Sequence, residues 1–142
     1  MSDQLHGIIG DQPLARQNAL FAGDEIRSIN KTFRLVFQND GNLVLYIDDS
    51  IGNPNAGLID RAVWSAYTEN HAASYAIMQW DGNFVVYDSF NNHFFDTGTS
   101  GNPGAFIIIQ DDGNLVVYAS DGLTPLWWSH TSVGEAPGAN AA

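Results

Sequence analysis

The sequence predicts an all-β fold, a sandwich, barrel or prism, on three observations. First, six short runs rich in Val, Ile, Phe, Tyr and Leu alternate with clusters of Gly, Asn, Asp and Pro, at 32–38, 42–47, 74–79, 83–88, 105–110 and 114–119. Strands of this length at short, regular spacing belong to all-β architectures. Second, one nine-residue pattern, Gln-x-Asp-Gly-Asn-x-Val-x-Tyr, occurs three times without a slip in spacing. The copies are QNDGNLVLY at 38–46, QWDGNFVVY at 79–87 and QDDGNLVVY at 110–118. Repetition at such a period signals an architecture built from like units. Third, no segment offers a 3.6-residue apolar stripe with caps.

Each copy reads as a hairpin. Asp-Gly between β-rich runs is a strong turn signal, so the incoming strand ends at the Gln and Asn-x-Val-x-Tyr is the outgoing strand. Side chains on a strand alternate between faces. In the first copy Leu43 and Leu45 point inward, joined by Leu35 and Phe37, while Asn42, Val44 and Tyr46 point out with Gln38. In the second, Phe84 and Val86 point in, and Asn83, Val85 and Tyr87 point out. In the third, Leu115 and Val117 point in, and Asn114, Val116 and Tyr118 point out. Gln, Asn, Val and Tyr thus share one outer face, with the Asp beside the turn.

A weaker repeat follows each hairpin: WSAYT from Trp64, FDTGT from Phe95 and WSHTS from Trp128. Trp64 precedes Gln79 by 15 residues, as Phe95 precedes Gln110. Matched aromatics predict a shared core where three units meet. The longest link, IDDSIGNPNAGLIDRAV at 47–63, reads as a surface loop beside the first motif. One domain is expected over 1–133. The tail 134–142, GEAPGANAA, reads as disordered, and the first dozen residues as loosely held.

Bulk properties narrow the function. The chain has 142 residues, 44% hydrophobic and 15% charged, as expected of one globular domain. It has no cysteine, which excludes disulfides and thiolate metal sites. A formal charge of −11 repels phosphate backbones and anionic membranes, so a neutral partner is expected, without nucleic acid or membrane insertion. The N-terminal residues lack the basic and apolar regions of a secretory signal. A cytoplasmic location, or release without a classical signal peptide, is therefore expected.

The preserved polar positions are the functional signal. A repeat kept only for its turn would explain Asp and Gly but not the Gln before or the Tyr after. An ionised Asp accepts, Gln and Asn both donate and accept, and a Tyr hydroxyl does either. That set suits neighbouring hydroxyls, and a Val methyl suits C–H groups; together they match a sugar. The candidate binding residues are Gln38, Asp40, Asn42, Val44 and Tyr46; Gln79, Asp81, Asn83, Val85 and Tyr87; and Gln110, Asp112, Asn114, Val116 and Tyr118. Trp80, at the variable position of the second copy, is a candidate stacking residue for a second sugar unit. Calcium loops need an alternating Asp/Asn series and a later bidentate Glu, which these turns lack. The four His are scattered without zinc spacing, and no nucleophile elbow or P-loop is present. A binding protein, not an enzyme, is expected.

The motif resembles that of the bulb-type mannose-binding lectins of monocot plants, with relatives in fungi, fish and bacteria. The resemblance runs from about residue 20 to 132, and all three copies are complete. It implies a β-prism II fold, three antiparallel sheets about a pseudo-threefold axis. It also implies metal-independent binding of α-D-mannose and mannose-rich glycans at up to three sites. By the family pattern Asp40 and Asn42 hold the O2 hydroxyl, Gln38 O3 and Tyr46 O4, with Val44 against the ring carbons, and the other two copies follow. The family's strand exchange implies a possible homodimer through 123–131, and its biology suggests defence. Lectin-like bacteriocins and protein-binding modules on the same fold are the alternatives. The chain departs from the plant pattern in lacking the usual disulfide, in Phe95 where Trp is usual, and in the long loop after Tyr46.

Overall fold

The computed structural model describes residues 8–9, 19–48, 60–70 and 73–132. Three four-stranded sheets account for the strands among them. One sheet takes β3 (Glu25–Arg27), β4 (Phe33–Phe37), β5 (Leu43–Asp48) and β6 (Asp60–Ser65) in that order. A second takes β2 (Ala19–Phe21), β7 (Ala73–Met78), β8 (Phe84–Asp88) and β9 (His93–Asp96). The third takes β1 (Ile8–Ile9), β10 (Phe106–Ile109), β11 (Leu115–Tyr118) and β12 (Pro125–Trp128). Neighbouring strands whose register is defined all run antiparallel. This is the β-prism II arrangement that the family resemblance implied. β1, β2 and β3 each supply the outer strand of a different sheet.

The six expected strands become β4, β5, β7, β8, β10 and β11, with ends within a residue or two. The strands that carry the aromatics, β6, β9 and β12, complete each hairpin into a meander. Alternation puts Leu35, Phe37, Leu43, Leu45, Phe84, Val86, Leu115 and Val117 in one core cluster. Fully burying a side chain of this kind is worth about 1.5–3 kcal/mol. Trp64, Phe95 and Trp127 meet edge-on, with centroids 5.6, 5.7 and 6.1 Å apart. This is the expected junction of three units, with one correction: its third member is Trp127, not Trp128. Register decides, since Leu45 pairs with Trp64, Val86 with Phe95 and Val117 with Trp127. Trp128 therefore points to the opposite face.

Two further expectations need adjustment, and a third is not tested by the described residues. Of the stretch 47–63 read as a loop, 47–48 extend β5 and 60–63 begin β6, while 49–59 lie outside the described residues. Ile8–Ile9, in the stretch expected to be loose, pair with Ile108 and Ile107. The tail at 134–142 lies outside the described residues.

Candidate functional site

The turn of each motif is a three-residue loop rather than a two-residue one. In the first copy the Gly41 N–H donates to the Gln38 carbonyl at 3.0 Å, and the Gln38 N–H donates to the Asn42 carbonyl at 2.8 Å. Gly41 has φ +89°, as a type I turn followed by a glycine bulge requires. The Asp closes the loop. Its Oδ1 accepts the N–H two residues on, at 2.9 Å for Asp40 to Asn42, Asp81 to Asn83 and Asp112 to Asn114. Such Asx turns pre-shape the backbone.

The same residues then interlock side chain to side chain. Tyr46 Oη donates to Gln38 Oε1 at 3.0 Å, and Tyr87 and Tyr118 donate in the same way to Gln79 and Gln110. Gln79 Nε2 donates to Asp81 Oδ1 at 3.1 Å, and Gln110 Nε2 to Asp112 Oδ1 at 3.0 Å. In all three copies the Gln and the Tyr thus meet on one face, as alternation predicted, and in the second and third the Asp joins them. Burial pushes the Tyr87 hydroxyl above its ordinary pKa, with Tyr75, Asp81 and Asp96 adding to the effect. It stays protonated, and so a donor, throughout the neutral range.

Sequence reasoning missed the residues that anchor the Asn. Asn42 Oδ1 accepts the Thr68 N–H at 3.0 Å, and Thr68 Oγ1 donates to the Gly41 carbonyl at 2.7 Å. Thr99 makes the same pair of bonds with Asn83 and Gly82, at 3.1 and 2.6 Å. Thr131 does so with Asn114 and Gly113, at 3.3 and 2.6 Å. The signal was present in the chain, since each Thr stands four residues after the junction aromatic, at Trp64, Phe95 and Trp127. With its carbonyl tied down, the Asn can offer only its amide to a ligand. Asn114 Nδ2 is buried with no hydrogen-bond partner among the described residues.

The valines lie on the outer face but are not bare: Val44, Val85 and Val116 are 4%, 2% and 0% exposed. Each is enclosed by its cross-strand partners, Val36 and Ser65, Ile77 and Asp96, and Ile108 and Trp128 respectively. The flanks distinguish the three sites. Opposite Tyr46 stands Arg34, its guanidinium carbon 4.9 Å from the ring centroid. The hydrogen bond to Asp60 holds the Arg34 pKa above its usual value; burial opposes this, and Glu25 adds to it. Opposite Tyr87 stands Tyr75, and opposite Tyr118 stands Phe106. The third site is closed over: Tyr118 is 3% exposed and Gln110 and Asn114 are buried, whereas Gln38, Tyr46, Gln79 and Tyr87 are half-buried. Trp80 is 70% exposed at the turn of the second site.

Three sheets about one aromatic junction, each with the same polar constellation on its outer face, define a β-prism II protein of the lectin type. No protein-family model matches the chain, and no curated protein matches it in sequence; solved structures carry the likeness. A lectin from Marasmius oreades is 28% identical, covering 91% of this chain and 94% of its own, with a TM-score of 0.71. Monomeric mannose-binding lectins from the monocot Gastrodia elata are 32% identical, covering 81% and 93%, with a TM-score of 0.65. The snowdrop (Galanthus nivalis) agglutinin, complexed with methyl α-D-mannoside, is 29% identical, covering 90% and 99%, with a TM-score of 0.62. The chain belongs to the bulb-type mannose-binding lectin family.

Proposed function

We propose that this protein binds α-D-mannose and mannose-rich glycans, without a metal, at the sites built by its repeated motif. The observation that carries the reading is the division of labour inside the first and second constellations. Asp Oδ1 and Asn Oδ1 are both used to hold the fold. What remains to a ligand is an acceptor, Asp Oδ2, beside a donor, Asn Nδ2, one of whose two hydrogens goes to Ser65 Oγ at 3.2 Å in the first site. One sugar hydroxyl satisfies both, donating to the first and accepting from the second. The Tyr hydroxyl spends its proton on the Gln and keeps lone pairs for a second hydroxyl. An axial O2 gripped by Asp and Asn favours mannose over glucose. The snowdrop agglutinin's complex with a mannoside supports the same assignment, and the neighbours favour it over the bacteriocin and protein-binding alternatives. In this reading the chain is a binder and not a catalyst.

A shallow polar site of this kind holds a monosaccharide at about millimolar Kd, about −4 kcal/mol. Several sites on one chain raise avidity for a multivalent glycan by about 10²–10⁴. Exchange of the segment 123–131 between two copies would make the same ladder that β12 makes with β11 in one chain; the mass in solution separates the two. The test of the function is calorimetric titration with methyl α-mannoside, with and without EDTA, against Asp40→Ala/Asp81→Ala/Asp112→Ala. Weak binding, unchanged by EDTA and absent from the folded triple variant, is expected. No heat at millimolar sugar sinks the proposal.

A further inference from the structure

The second sheet carries a feature that the motif does not require. Phe21, Tyr75, Tyr87 and His93 are successive cross-strand partners on β2, β7, β8 and β9, so they form one row across the outer face. The Phe21 and Tyr75 centroids are 5.9 Å apart, and those of Tyr75 and Tyr87 are 5.6 Å apart. Their planes are inclined by only 37° and 34°, so the three rings approximate a continuous surface. The row is held in place: Tyr75 Oη bonds Asn91 Oδ1 at 3.4 Å, and the Phe21 N–H donates to Asp24 Oδ2 at 2.9 Å. It nevertheless faces solvent, with Phe21 38% exposed on the outer strand. In the first sheet the partners in the same row are Arg27, Arg34, Tyr46 and Ala62, so the row is aromatic only at Tyr46.

We infer that the second site is an extended one, taking a linear α-linked manno-oligosaccharide whose terminal residue sits on Gln79, Asp81, Asn83 and Tyr87 while the next residues lie over Tyr75 and Phe21. The inference rests on the mannose reading above. Tyr87 belongs to both the site and the row, so the platform is continuous with the place where the first sugar is held. Each centroid step is close to the length of one pyranose. A pyranose presents C–H groups on one face, which gain dispersion contacts against an aromatic ring while the opposite hydroxyls stay in water. The row contains no Asp, Glu, Lys or Arg, which suits a neutral glycan. The first site, with Arg34 and its carboxylate partners on this flank, has no such platform and reads a single residue.

The test compares methyl α-mannoside with linear α-mannotriose by calorimetry, in an Asp40→Ala background that silences the first site. The expected result is about tenfold tighter binding of the triose, equivalent to about 1.4 kcal/mol. Phe21→Ala and Tyr75→Ala should each remove most of that gain and leave the affinity for methyl α-mannoside unchanged. Phe21 lies on an outer strand and its truncation spares the core, so a folding defect in Tyr75→Ala still leaves a decisive variant. A triose no tighter than the monosaccharide overturns the inference with the mannose reading intact. So does a gain that survives both variants, or one that only Trp80→Ala removes. No heat with either sugar overturns the mannose reading, and this inference with it.

Discussion

Asn83 Oδ1 accepts the backbone N–H of Thr99, sixteen residues downstream, at 3.1 Å. One atom of a predicted ligand-binding side chain is therefore a structural tie between the motif and the segment that follows β9. The Thr97 hydroxyl reaches the same oxygen at 3.1 Å. The two ends of this amide have separable roles, and two substitutions separate them. Asn83→Asp keeps the acceptor and loses the donor, so the melting temperature should change little while the second site loses mannoside. Asn83→Ala strands the Thr99 N–H as well, at about 1–3 kcal/mol. Thermal melts beside calorimetry check both. Equal destabilisation by the two variants would sink the division of roles.

The glycine of the second turn is required twice over. Gly82 has φ +94°, and a Cβ there would lie 2.2 Å from the Asn102 carbonyl oxygen. That approach is built in, because the Asn102 N–H donates to the Asp81 carbonyl at 3.0 Å. Gly82→Ala should cost about 1–2 kcal/mol from backbone handedness alone, with the clash adding to it. Urea unfolding measures the loss; a cost below 0.5 kcal/mol, roughly the effect of an ordinary surface substitution, would contradict the close approach.

The parts of this fold legible in the sequence are those with local causes. Asp-Gly-Asn marks a turn by its own chemistry, and the alternation after it sorts Leu43 from Val44 without knowledge of any other segment. The parts that were not legible depend on register between distant strands. Trp127 and Trp128 are adjacent aromatics, and only the pairing of Val117 with Trp127 shows which one joins Trp64 and Phe95. β1, β2 and β3 are two or three residues long, too short to show a period. The enclosure of Val116 comes from Trp128 across the strand, and the same position holds Ser65 or Asp96 in the other sheets. The motif reports all three sites as alike; their flanks make them unequal.

That inequality predicts a stoichiometry. The third constellation has its hydrogen bonds in order, yet Tyr118 is 3% exposed and Asn114 is buried. A sugar needs access to the Asp, the Asn and the Tyr at once. Titration with methyl α-mannoside should therefore saturate at two sugars per chain, and Asp112→Ala should leave the binding heat unchanged. Removal of one third of the heat by Asp112→Ala would show the third site open.

Two hairpin carboxylates set the response to acid. Asp88 is buried, which disfavours its charge, but the Asn92 N–H and amide and the Phe90 N–H outweigh this and hold its pKa below the ordinary value. Asp121 is lowered by the Leu123 N–H first, then by the Thr124 hydroxyl and N–H. A carboxylate whose folded pKa lies below its unfolded value, about 3.9, contributes stability that is present above that value. The contribution is lost as pH falls through the folded one. Both groups should therefore leave stability flat from neutral pH to about 5 and erode it below about 4. Asp88→Asn and Asp121→Asn keep an acceptor for the N–H bonds but cannot titrate. The double variant should be less stable than wild type at pH 6, and the gap should narrow as pH falls below about 4. Melting temperatures of both proteins across that range measure it, and a gap that stays constant down to pH 3 would rule these two carboxylates out as the acid-sensitive groups.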